Sequence, residues 1–254
     1  MRKKIIAANW KMNTTLLEGS ELIIDMKKMH DCHHQHHNLI VLICPPFTHL
    51  FSLSKELNDC CLKLGAQNIY HEEKGAYTGE ISGEMIRSAG CEYVIIGHSE
   101  RRQYFQEDNL TLAKKIRLAL GHDLTPIYCC GETLEEREKN IHFDVIEQQI
   151  KEGLFTFDKQ DIGDIVIAYE PVWAIGTGKT ASPEQAEEIH KFIRQLINDK
   201  YGSRTANNLS IIYGGSIKAS NASDIFGQAN IDGGLVGGAS LDAKEFNRII
   251  NAIG

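Results

Sequence analysis

Ile165-Val-Ile-Ala-Tyr-Glu-Pro-Val-Trp-Ala-Ile-Gly-Thr-Gly-Lys-Thr180 sets an apolar, β-branched run ahead of a carboxylate and follows it with a glycine-containing loop. The run Ile165 to Tyr169 shows no alternation of polar and apolar residues. That pattern marks a strand buried on both faces, as in parallel sheets covered by helices. Glu170 then emerges where the strand meets solvent, the position at which parallel barrels keep their chemistry. Beyond the loop, Ser182 is a helix N-cap, Pro183 suits the first helical position and Gln185 completes a capping box. Ile189, Phe192, Ile193, Leu196 and Ile197 recur at helical spacing after it. Two nucleotide motifs fail here. Gly178-Lys179-Thr180 ends like a P-loop, but Trp173 stands where that motif needs glycine, and Gly176 to Ala181 is separated from its strand by Pro171 to Ile175, which a dinucleotide fingerprint does not allow.

Working outward, seven further short apolar runs read as strands: Ile5 to Trp10, Leu39 to Cys44, Leu62 to Ala66, Tyr93 to Gly97, Leu124 to Cys130, Leu209 to Gly214 and Ile231 to Gly237. Amphipathic segments lie between them. Leu110 to Leu120 is one, with Leu112, Ile116, Ala119 and Leu120 on one face and Gly121 as its stop, and Leu241 to Ile253 closes the ring. The alternation of strand and helix implies a parallel sheet, and eight strands suit an α/β fold of one closed (β/α)8 barrel, a TIM barrel, spanning residues 1–254 as a single catalytic domain.

The 254 residues, 42% hydrophobic and 24% charged, are close to the roughly 250 typical of such a barrel. A net charge of −7 argues against nucleic acid or an anionic membrane as partner. Seven cysteines, without a CxxC spacing, fit neither a disulfide framework nor a zinc ribbon, so reduced thiols and a cytoplasmic location are expected. The apolar stretch Ile5 to Ala8 is too short for a signal peptide, and the longest apolar run, Leu39 to Phe47, contains two prolines and cannot span a bilayer. His30/His34 and His33/His37 have a spacing that lets two imidazoles share a metal, yet no HExxH-like carboxylate accompanies them, and a solvated turn is the reading adopted.

In a barrel, residues just past the strand ends converge on one mouth. Here that brings together Asn9 and Lys11, His98, Glu170, the turn Tyr213-Gly-Gly-Ser216 and the turn Gly237-Gly-Ala-Ser240. A base, an imidazole and an ammonium thus face glycine-rich turns whose backbone N–H groups form an anion cradle without arginine. Taken singly, Lys11 reads as a surface cation, His98 as a satisfied polar residue, Glu170 as half an ion pair and the glycines as plain turns; their convergence carries the functional reading.

At these residues the chain resembles the triosephosphate isomerase family, from Ala8-Asn-Trp-Lys-Met-Asn13 to Leu235-Val-Gly-Gly-Ala-Ser-Leu241. Gly65-Ala-Gln-Asn68, Gly75-Ala-Tyr-Thr-Gly-Glu-Ile-Ser82, Ile96-Gly-His-Ser-Glu-Arg-Arg102, Gly131-Glu-Thr-Leu-Glu-Glu-Arg137 and Ile212-Tyr-Gly-Gly-Ser216 carry the likeness over nearly the whole length. The logic of base, imidazole and lid is the family's own and is carried over here. The resemblance implies a cofactor-independent, metal-free interconversion of dihydroxyacetone phosphate and D-glyceraldehyde 3-phosphate through an enediolate. It makes Glu170 the base, His98 the neutral electrophile and Lys11, paired with Glu100 in the open site, the enediolate stabiliser, with Asn9 in support. It also implies that Gly176, Ser216, Gly237 and Gly238 bind the phosphate, that Tyr213 holds the closed lid, and that Pro171 to Trp173 and Lys179 to Ala181 are its hinges. A homodimer through the Gly75–Ser82 loop, with Thr78 reaching the partner's mouth, follows from the same likeness.

Cys130 stands where the family often carries an aliphatic residue, and Cys129 aligns with a family cysteine near the site, though it reads as a small buried hydrophobe. A catalytically silent barrel kept as a binding scaffold is the rival function, and a different phosphosugar barrel a second; the first predicts loss of Lys11, His98 or Glu170, the second lacks the trio and the lid sequence. All three residues are present. Replacing Gly176 and Gly178 with valine is expected to lower turnover, because the loop must change backbone angles to close; steady-state constants equal to wild type would refute this.

Overall fold

The computed structural model describes residues 2–30, 38–176 and 180–253. Its strands are β1 Lys4–Asn9, β2 Leu39–Cys44, β3 Lys63–Ala66, β4 Tyr93–Ile96, β5 Thr125–Cys130, β6 Val166–Tyr169, β7 Ile211–Tyr213 and β8 Gly233–Val236. They pair in parallel, in sequence order, and β8 returns to β1 with Ile5 beside Gly233 and Ala8 beside Val236. Closure removes the open edges a flat sheet would expose. It also requires glycine at one point: Gly233 has φ +133°, and a Cβ there would lie 1.9 Å from the Ile5 carbonyl oxygen.

Both faces of the strands are buried, which explains their unbroken apolar sequences. Ile5, Ala7, Leu42, Ile95, Ile127, Cys129, Val166, Ala168 and Leu235 fill the barrel interior. Their outward neighbours, among them Ile6, Val41, Val94, Tyr128, Ile167, Tyr169 and Tyr213, pack against the surrounding helices. The two-residue period that sends Val166 and Ala168 inward carries Glu170 to the inner side as well, while Tyr169 and Tyr213 point out towards the helix Pro183–Tyr201. That helix starts as its sequence demands, with Ser182 and Gln185 in a reciprocal capping box and Pro183 in the first turn.

Some bounds differ from the sequence reading. β7 is shorter than Leu209 to Gly214; the Ile211 N–H donates at 3.0 Å to Asp232, whose carboxylate is itself held by Arg2 and Arg194 at 2.6 and 2.7 Å. Gly121 is the last residue of the helix Asn109–Gly121 rather than a left-handed stop beyond it. The final segment divides into a 3-10 turn, Gly238–Leu241, and a helix, Ala243–Asn251, because the Asp242 side chain caps the Glu245 N–H at 2.9 Å. The expectation of reduced thiols holds for Cys44, Cys91, Cys129 and Cys130 but fails at Cys61, which is disulfide-bonded. His33, His34 and His37 lie outside the described residues; His30 ends the first helix, Leu16–Met29, as its C-cap. Among the described residues no helix is long and apolar enough to cross a membrane.

One buried polar group stands out in the helix layer. His190 is 0% exposed, with the rings of Tyr169 and Tyr213 at 5.7 and 6.3 Å and neither ring nitrogen in a hydrogen bond of good geometry. Burial first, and the nearby Arg194 second, push its pKa from 6.5 down to about 3. The unfolded chain therefore takes up this proton before the folded one does, so the barrel keeps its full stability above the ordinary histidine range and loses it as pH falls from about 6.5 towards about 3. A His190→Phe variant is expected to flatten the acid limb of the urea-derived stability curve between those values, by up to about 1.4 kcal/mol per pH unit. An unchanged slope would show that His190 is not the group responsible.

Candidate active site

The C-terminal strand ends surround a cavity of about 290 Å³ whose wall includes Asn9, Lys11, His98, Gly176, Ser216, Gly237 and Gly238. They arrive from the ends of β1, β4, β6, β7 and β8 or the loops that follow, so the barrel's closure, not sequence proximity, assembles them. Glu170 is the exception. It is 1% exposed and sits just behind the wall, beside His98 and Gly214.

Its seat is built by two missing side chains. A Cβ on Gly131 would lie 1.7 Å from the Glu170 carbonyl oxygen, and one on Gly214 would lie 2.7 Å from Glu170 Cγ. Glu170 N–H donates to the Cys130 carbonyl at 2.7 Å, continuing the β5–β6 ladder one residue past the strand. Of the carboxylate oxygens, Oε2 accepts the Ser99 N–H at 2.8 Å, whereas Oε1 has no hydrogen bond and stands 3.3 Å from His98 Nε2. Cys129, on the inward face below, is a poor nucleophile here: burial chiefly, and the Glu170 charge next, raise its thiol well above the ordinary range.

His98 caps the helix Ser99–Phe105, and its Nδ1 accepts the Glu100 N–H at 3.2 Å. A ring nitrogen that accepts carries no proton, so the ring is the neutral tautomer with its N–H at Nε2, on the Glu170 side. Lys11 adopts φ +54°, uncommon for a side chain with a Cβ, and its Nζ meets Glu100 Oε1 at 2.6 Å. Two contacts hold that backbone: the Lys11 N–H donates to Asn9 Oδ1 at 3.1 Å, and Gln67 Nε2 donates to the Lys11 carbonyl at 2.9 Å. The lysine stem runs past Gly237, where an added Cβ would be 3.5 Å from Cε.

At the other end of the cavity, Gly237 precedes the 3-10 turn Gly238–Leu241, whose first N–H groups have no partner within the turn. Ser216 lies opposite, its carbonyl fixed by Asn221 Nδ2 at 3.1 Å. Gly176 has φ +68° with open space around it, so a side chain there would meet backbone strain rather than a clash. Gly178 and Lys179 lie outside the described residues. The segment Pro171 to Trp173 is clasped from below by Glu132, which is 0% exposed: its Oε1 accepts from Tyr169, Trp173 and Arg137 at 3.0, 2.9 and 3.0 Å, and its carbonyl accepts the Val172 N–H at 3.0 Å. Tyr213 is buried on the other side with no hydrogen bond to its hydroxyl, which burial pushes up to about 12.

Sequence reasoning named Asn9, Lys11, His98, Gly176, Ser216, Gly237 and Gly238, but gave no separate role to Glu132, Gln67 or Gly131 and counted Gly214 only as part of a glycine turn. A carboxylate two residues past the apolar run ending at Cys130 was the available signal for Glu132.

A family model described as triosephosphate isomerase matches residues 4–253. A protein of Endomicrobium trichonymphae named triosephosphate isomerase is 50% identical over 250 residues, covering 98% of each chain. One of Cytophaga hutchinsonii with the same name is 51% identical over 247 residues and 97% of each chain, and one of Bacteroides fragilis is 50% identical over 252 residues and 99% of each.

Proposed function

Because the chain belongs to the triosephosphate isomerase family and is an isomerase of dihydroxyacetone phosphate and glyceraldehyde 3-phosphate, we propose that Glu170, His98 and Lys11 carry the reaction. The observation that carries this reading is the pairing of a buried carboxylate oxygen that has no hydrogen bond, Glu170 Oε1, with a neutral imidazole N–H 3.3 Å away. Glu170 takes a proton from carbon 1 of the ketose, the electron pair moves onto the carbonyl oxygen to give the enediolate, and the same proton is delivered to carbon 2 to give the aldose. Since Glu170 lies behind the cavity wall, its side chain turns forward past His98 to reach that carbon. His98 Nε2–H polarises the carbonyl and passes a proton between the two oxygens; a neutral ring suits this because it can both give and regain that proton. Lys11 lends its positive charge to the enediolate, exchanging its contact with Glu100 for one with substrate, and Asn9 keeps its backbone in place.

The phosphate takes no part in bond making, so its binding energy is available to close the loop over the site. Gly176, Ser216, Gly237 and Gly238 bind it through backbone and hydroxyl donors, without cofactor or metal. The loop's near hinge is Pro171 to Trp173, resting on Glu132, and Tyr213 latches the far hinge near Ala181. Closure excludes water from the site.

Residues 1–254 act as a single domain, in a cytoplasmic setting supported by the free thiols of Cys44, Cys91, Cys129 and Cys130 among the described residues, with Cys61 the exception. Two copies associate through the Gly75–Ser82 loop. Gly75 to Glu80 are exposed, the Tyr77 ring lies 4.8 Å from that of Tyr70 at a tilt of 49°, and Met12, Leu16, Leu17 and Met85 leave 56% or more of their surface uncovered nearby in sequence to the mouth and to that loop. Apolar exposure on this scale favours a partner.

Turnover of glyceraldehyde 3-phosphate by metal-stripped protein, coupled to a reductase, tests the chemistry. Wild type is expected to be active and Glu170→Gln slower by on the order of 10²–10⁴; a folded but inactive wild type would favour the silent scaffold instead. For the assembly, light scattering at micromolar concentration is expected to give about twice the 28.4 kDa chain mass. A mass near one chain with activity intact would refute the dimer.

A further inference from the structure

Glu170 owes its depth to the Gly131 peptide, and that peptide is held from outside the barrel. Gln149, on the helix His142–Leu154, grips it at two points: Oε1 accepts the Gly131 N–H at 2.8 Å and Nε2 donates to the Gly131 carbonyl at 2.9 Å. A single amide thus supplies both bonds that a neighbouring strand would have supplied at this position, one residue beyond the end of β5. Against the other face of the same peptide rests the Glu170 carbonyl, at a distance that leaves no room for a Cβ on residue 131.

The grip continues to the imidazole. The Gln149 carbonyl accepts the Tyr128 hydroxyl at 2.7 Å, an approach that Gly153 permits, since a Cβ there would lie 2.3 Å from that hydroxyl. Tyr128 Oη accepts from Arg102 at 3.2 Å, and Arg102 donates to the Cys129 carbonyl at 2.9 Å and to the Gly97 carbonyl at 3.0 Å. Gly97, at φ +74°, immediately precedes His98. One run of hydrogen bonds therefore joins the backbone seats of the base and the imidazole, through Gln149, Tyr128 and Arg102, none of which lines the cavity.

We propose that Gln149 is a positioning residue for the isomerisation: by locking the Gly131 peptide it fixes how far Glu170 stands from the substrate carbon. This rests on the reading of Glu170 as the base. The anion end of the cavity is built on the β7 and β8 loops, which Gln149 does not touch, so its loss should disturb the proton transfer and leave phosphate binding alone. Misplacement of a reacting group by about 1 Å can cost on the order of 10²-fold in rate.

The test compares wild type with Gln149→Leu and with Gln148→Leu, a neighbour whose amide bonds Glu152 on the exposed side of the same helix. For Gln149→Leu, kcat is expected to fall about tenfold or more, with inhibition by inorganic phosphate unchanged and inhibition by 2-phosphoglycolate, whose carboxylate mimics the enediolate, weakened. Gln148→Leu should match wild type. If Gln149→Leu does not fold, Gln149→Glu serves, since it keeps the acceptor for the Gly131 N–H and loses the donor; its kcat should also fall with phosphate inhibition unmoved. A folded Gln149 variant with wild-type kcat, or one losing phosphate affinity in step with kcat, overturns the inference. An inactive wild type overturns the reading of the base, and the inference with it.

Discussion

A carboxylate taken out of water with one oxygen unmatched is the constraint around which this molecule is arranged. Removing a polar atom from solvent without a hydrogen bond disfavours folding by on the order of 1–3 kcal/mol, and more for a charge. Glu170 keeps one oxygen on the Ser99 N–H and leaves the other without a hydrogen bond. Such a state persists only where the surroundings over-determine it. Here they do: the barrel's backbone ladder reaches to Glu170 from β5, Gly131 and Gly214 press on its main chain and side chain, and Gly214 N–H in turn bonds the Tyr169 carbonyl at 2.7 Å. The closed barrel supplies the rigidity, and the active-site carboxylate draws on it.

The same economy of parts governs the loop that follows. Strand β6 ends at Tyr169, and the two-residue period that continues into Glu170 turns Tyr169 outward and Glu170 inward. The inward residue is Glu170, the carboxylate beside His98. The outward one joins Glu132, whose single oxygen also receives Trp173 and Arg137. A segment held by several donors on one buried acceptor can shift only by exchanging them together. The sequence neighbours of Glu170 therefore fix where the following loop begins.

Much of this was legible beforehand, for stated reasons. Strands buried on both faces write themselves as unbroken apolar runs, and a closed parallel barrel then dictates that Asn9, Lys11, His98, Ser216 and Gly237 meet, however far apart they lie in the chain. The helix start at Ser182 was equally plain, since capping is local chemistry. Glu132, Gln67 and Gln149 were not, because a glutamine or glutamate that binds a distant backbone peptide looks in sequence like any solvated one. Only the packing of a helix against a strand end distinguishes Gln149, which holds Gly131, from Gln148, which faces its own helix. Strand bounds moved where a side chain took a backbone donor, as Asp232 does at Ile211. The withdrawn position of Glu170 behind the cavity wall likewise depends on the contacts at Gly214, which no local pattern announces.

Two ion pairs show how the chain separates what must hold from what must yield. Arg194–Asp232, at 2.7 Å with side chains 9% and 0% exposed, is locked by further bonds to the Ala206 and Leu209 carbonyls and to the Ile211 N–H. Breaking it would strand a buried charge, so it braces the lower rim of β7 and β8. Lys11–Glu100 is as short, at 2.6 Å, but its side chains are 26% and 40% exposed. Water screens a pair of that kind to roughly 0–1 kcal/mol, so an incoming anion can take the ammonium at little expense. In this acidic chain the cavity is thus walled by glycine turns with uncharged N–H groups and by the ammonium of Lys11, kept in a contact weak enough to surrender.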